Sequence, residues 1–78
     1  MEIKYLDFIE IPSSRKTKVI NVISPNLDPI FSLGYIKFYP QWRKYIFEPA
    51  EKTIFDENCL KKIAEFCSSL TIEWRKSL

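Results

Sequence analysis

A chain of 78 residues with 46% hydrophobic and 28% charged side chains has room for one small folded unit, residues 1–78, and is too apolar for disorder. Its formal charge of +2 lies in residues 1–48, with seven Lys/Arg against five Asp/Glu, and residues 49–78 balance at five against five. No polybasic arm for nonspecific nucleic-acid binding stands out. There is no histidine, which removes the usual general base near neutral pH and the commonest zinc ligand, and a single glycine rules out a Gly-rich phosphate loop.

Residues 3–11, Ile-Lys-Tyr-Leu-Asp-Phe-Ile-Glu-Ile, are rich in β-formers and alternate well enough to predict a first strand, with Asp7 turned outward between Leu6 and Phe8. Pro12 to Lys16 breaks it. Residues 17–24 predict a second strand in which Ile20 and Val22 face one way and Val19, Asn21 and Ile23 the other, Asn21 marking the wetter side. Pro25 to Pro29 is a loop, because two prolines cannot donate to a ladder.

Residues 31–39 and 43–48 predict a hairpin around Pro40-Gln41, with either a two-residue or a four-residue loop. Both lengths place Gly34, Ile36, Phe38, Arg43, Tyr45 and Phe47 on one face and Tyr35, Lys37, Tyr39, Trp42, Lys44 and Ile46 on the other. The first set is the more apolar and forms the core side. Gly34, the chain's one glycine, leaves bare backbone for a ring such as Phe47 to cross.

After a connector, Asp56 is a good N-cap and Phe55 has the spacing to staple against Leu60. A helix from 57 to about 74 follows, with Leu60, Ile63, Ala64, Cys67, Leu70 and Trp74 on one stripe and Phe66 at its margin. Arg75 and Lys76 carry the charge that a helix C-terminus favours. Cys59 and Cys67 are eight residues apart on this helix, about 12 Å along its axis. That is too far for a disulfide, and with no signal peptide they read as reduced thiols of a cytoplasmic protein. No apolar run is long enough to span a membrane. The expected fold is therefore α+β, a four-stranded antiparallel sheet covered on its Ile20, Val22, Ile36, Phe38, Tyr45 and Phe47 side by one C-terminal helix.

Four segments carry a further signal: Lys16 to Val19, Leu33 to Tyr39 (Leu-Gly-Tyr-Ile-Lys-Phe-Tyr), Trp42 to Pro49 (Trp-Arg-Lys-Tyr-Ile-Phe-Glu-Pro) and Cys59 to Phe66 (Cys-Leu-Lys-Lys-Ile-Ala-Glu-Phe). Over roughly residues 16–70 the chain resembles a family of small uncharacterised proteins of bacteria, their phages and mobile elements. Phe38 stands where that family usually has Trp, a conservative exchange for packing. The resemblance implies a β-rich unit with a terminal helix in a bacterial host cell, and no activity.

The residues point to a noncatalytic protein without cofactor or metal. One helix covers one side of a sheet, so the side with Tyr35, Lys37, Tyr39, Trp42 and Lys44, with Arg43 beside it, is left to meet a partner. Trp, Tyr and Arg are the side chains that dominate protein interfaces, which favours a protein partner. The alternative is single-stranded nucleic acid on the same face, with bases stacked on Tyr35 and Tyr39 and phosphates on Lys37, Arg43 and Lys44. Homodimerisation through the open face or a strand edge is compatible with either.

Overall fold

The structure, a computed structural model, describes residues 5–25 and 31–78. The expected start of the first strand at residues 3–4 and most of the Pro25–Pro29 loop lie outside the described residues. The elements run β1 (Asp7–Ile11), β2 (Val19–Ile23), β3 (Ser32–Tyr39), β4 (Lys44–Pro49) and α1 (Glu57–Lys76). The strands form one antiparallel meander in the order β1-β2-β3-β4, and α1 packs on one face of it, the α+β arrangement expected.

The register explains the sidedness. Phe8 pairs with Val22 and Val22 with Gly34; Ile20 pairs with Ile36 and Ile36 with Phe47; Phe38 pairs with Tyr45. These residues share a face because side chains alternate along each strand and adjacent strands run antiparallel. They supply the sheet's half of the core: Ile20, Val22, Ile36 and Tyr45 are buried, and Phe8, Phe38 and Phe47 are partly buried against them.

Leu33 is a fully buried member of that core although simple alternation assigns it to the opposite face with Tyr35. The cause is a register shift. Val22 pairs with Gly34 but Ile23 pairs with Ser32, so Leu33 is an extra residue that the bulge swings inward. Gly34 completes the bulge at φ +147°, a conformation that side chains disfavour. A Cβ there would lie 2.5 Å from the Glu48 carbonyl oxygen and 2.8 Å from Cε1 of Phe47, so the ring does cross the bare backbone as the sequence suggested. The Ser32 hydroxyl steadies the bulge, donating to Asn21 Oδ1 at 2.6 Å and accepting from the Gly34 N–H at 3.3 Å.

The hairpin has the four-residue loop. Tyr39 pairs with Lys44, the Trp42 N–H donates to the Tyr39 carbonyl at 3.1 Å and the Arg43 N–H to the Pro40 carbonyl at 3.2 Å. Arg43 is left-handed at φ 52° and belongs to the turn. Its expected place on the core face is thus corrected, since β4 begins one residue later.

The Asp56 cap forms as expected: its Oδ1 accepts the Cys59 N–H at 2.8 Å, and that bond holds the carboxyl below its ordinary pKa. The buried stripe of α1, however, is rotated from the expected one. Cys59, Ile63, Leu70 and Thr71 are buried, with Phe66, Cys67 and Trp74 half-buried, while Leu60 and Ala64 are exposed. Three ring contacts set the rotation. Phe66 stacks on Phe8 with centroids 4.2 Å apart, Trp74 packs on Phe38 at 4.6 Å, and Phe55 meets Phe47 edge-on at 5.4 Å. Phe55 thus anchors the helix start to the sheet, while Leu60, its expected staple partner, faces outward.

Thr71 ties α1 to the outer edge of β4. Its Oγ1 accepts the Tyr45 N–H at 2.9 Å and donates to the Cys67 carbonyl at 3.0 Å. An edge-strand amide that no strand pairs is thereby satisfied. Pro49, four residues on along the same rim, has no N–H to satisfy, which is why a proline can end this strand. At the far end of the helix the Tyr45 hydroxyl accepts the Lys18 N–H at 3.0 Å, and the Lys18 ammonium pairs with Glu73 at 3.2 Å.

Candidate functional site

The sheet face opposite α1 is built from cross-strand rows. Ile9, Asn21, Tyr35 and Glu48 form one row; Ile11, Val19, Lys37 and Ile46 form the next; Tyr39 and Lys44 form a third, at the turn end. Residues 7–11 pair with β2 in the plane of the sheet as its edge strand, so they widen this face instead of covering it. Among the described residues no second layer lies across it. Ile9 is 48% exposed and Tyr35 40%.

The expected site residues occupy two different places. Tyr35 and Lys37 sit in the middle rows on β3, and Tyr39 and Lys44 in the end row. Trp42 and Arg43 are in the turn beyond the sheet. The Trp42 indole is 63% exposed and meets the Tyr39 ring edge-on at 4.8 Å. Arg43 and Lys44 are exposed beside it. Lys37 is not a free cation: its ammonium lies 2.9 Å from Glu48 Oε2 on the adjacent strand, with both side chains part-exposed.

Sequence reasoning understated the aliphatic content of this face. Ile9, Ile11, Val19, Ile23 and Ile46 all point to it, and the last four are partly exposed. The alternation of Ile9 and Ile11 with Glu10 was the available signal, readable only once β1 is known to pair with β2.

The two thiols do not form a reactive centre. Neither Cys59 nor Cys67 is in a disulfide, and burial raises the pKa of each above its ordinary value, which favours the inert protonated form. Among the described residues no cluster of His, Cys, Asp and Glu could hold a metal ion, and no helix is long and apolar enough to cross a membrane.

What the fold defines is a small sheet-and-helix protein in which one β face is left open among the described residues. Among known proteins, the chain is similar to the "Uncharacterized 9.3 kDa protein" of Acholeplasma phage L2, 32% identical over 71 residues that span 90% of this chain and 88% of that protein. The chain belongs to the family of that small phage protein. No family model matches the sequence, and no solved structure matches it.

Proposed function

We propose that this protein is a noncatalytic interaction module that binds another protein through the sheet face opposite α1, as an accessory protein of phage or mobile-element type acting in the cytoplasm of a bacterial cell. The observation that carries the reading is the pair of middle rows, where Ile9, Tyr35, Ile11, Val19 and Ile46, with Asn21 and the Lys37–Glu48 pair among them, lie on a sheet side that no described residue covers. Such a mixed aliphatic and polar face, flanked by exposed aromatic rings, fits a protein surface. The Leu33–Pro49 hairpin, which carries both Tyr35 and Ile46, is the segment we take to be shared across the family.

The charge pattern favours protein over nucleic acid on this face. Lys37, its central cation, is neutralised by Glu48, so phosphates would find no partner in the middle rows. The test is affinity capture from host lysate with the wild-type chain and with a Tyr35→Ala/Ile46→Ser variant. A partner held by the wild type and released by the variant supports the reading. Identical partner sets for the two proteins end it.

A further inference from the structure

The chain's modest net charge conceals a strong segregation. The β1–β2 connection, the β3–β4 turn and the last turn of α1 meet at one end of the molecule. Strand register places the first two together, since Ile11 pairs with Val19, Val19 with Lys37, and Tyr39 with Lys44. The bonds from Thr71 to Tyr45 and from Glu73 to Lys18, with the Trp74–Phe38 ring contact, bring the helix end to the same place. Lys16 and Lys18 line one flank of the terminal helix turns, and Lys44 and Arg75 line the other.

Seven basic residues converge there: Arg15, Lys16 and Lys18 from the first connection, Arg43 and Lys44 from the turn, Arg75 and Lys76 from the helix. Among the described residues only Glu73 and Glu10 oppose them. Both act on Lys18, Glu73 directly and Glu10 through its field, and Glu73 is the main reason its ammonium pKa is raised. The other six are exposed. The remaining described residues carry four basic groups against six acidic ones. The exposed Trp42 indole, braced by Tyr39, stands in the same turn as Arg43 and next to Lys44.

We infer that this basic end is a second binding surface, distinct from the middle rows, and that its ligand is the phosphate backbone of single-stranded nucleic acid with a base stacked on Trp42. Cations gathered from three separate segments suit a chain of regularly spaced charges, and an exposed ring beside them is what distinguishes a base from a carboxylate. A lipid surface needs large apolar side chains gathered side by side past the cations, whereas the exposed ones here, Trp42 on the turn and Ile72 and Leu78 on the helix end, come from separate places, and Trp74 is half-buried against Phe38.

The test is fluorescence anisotropy of a labelled 15-nucleotide oligothymidylate. Binding at 50 mM NaCl weakens about fifty-fold at 200 mM if roughly four phosphates are neutralised. The variant Lys16→Glu/Lys44→Glu/Lys76→Glu weakens it by at least about tenfold, and the corresponding Gln variant weakens it less. The charge-matched Lys52→Glu/Lys61→Glu/Lys62→Glu variant, reversed away from this end, stays within about threefold of wild type. Trp42→Ala lowers affinity, whereas Tyr35→Ala/Ile46→Ser leaves it unchanged and so separates this surface from the protein-binding face. Circular dichroism melts confirm that each variant is folded. Three outcomes overturn the inference: no binding at 50 mM NaCl, equal loss in the charge-matched control, or tighter binding to polyglutamate or to phosphatidylglycerol vesicles than to the oligonucleotide.

Discussion

The two faces of the sheet use the same strands to opposite ends. On the inner face, Ile20, Val22, Leu33 and Ile36 are at most 2% exposed and lie under rings from β1, β4 and α1. On the outer face, residues one position along the same strands are part-exposed, and their rows mix aliphatic, aromatic and ion-paired side chains. Burial against a partner layer makes each inner side chain a determinant of stability. An outer side chain contributes only its cross-strand neighbours, so it is free to be selected for something else.

That contrast can be broken most forcefully at Leu33. Leu33→Ala removes a fully buried side chain, and chemical denaturation is expected to show a loss of about 2–5 kcal/mol. Gly34→Ala is next, at about 2–4 kcal/mol, because the added Cβ meets the Glu48 carbonyl in a conformation alanine avoids. A variant as stable as wild type would show that the bulge is not needed. Thr71→Val keeps the shape of the helix face but strands the Tyr45 N–H. It is expected to cost about 1–3 kcal/mol, with faster hydrogen exchange at that amide. On the outer face Tyr35→Ala should change stability by less than about 1 kcal/mol, whatever it does to partner binding.

The smallest effect concerns pH. The Asp56 carboxyl has a lower pKa folded than unfolded, so its capping contribution is complete above the ordinary carboxylate value. It fades as pH falls through the depressed folded one. Asp56→Asn should flatten the acid limb of the melting midpoint against pH, and an unchanged acid limb would mean that other carboxylates control it.

The helix, its Asp56 cap, the four strands and the split of the hairpin into an apolar and a mixed face were all legible in the sequence. Each is written in local periodicity or in one capping residue, and both arise from neighbours along the chain. What local periodicity could not supply was the position of Leu33. A bulge adds one residue against a partner strand, and that partner is known only from pairing. The rotation of α1 was hidden for a similar reason. Leu60 and Ala64 fit the stripe as well as Cys59 and Phe66 do, and the choice was made by Phe8 and Phe38 reaching up from the sheet.

Charge shows the same division most clearly. Counted along the chain, Lys and Arg are spread among acids in both halves and amount to +2. Composition therefore determined the net charge, and alternation determined which residues turn toward the helix. The meander and the docking of the last helical turn decided that seven cations from three distant segments share one end of the molecule. Electrostatic potential depends on distances through space, and those exist only after the chain has folded.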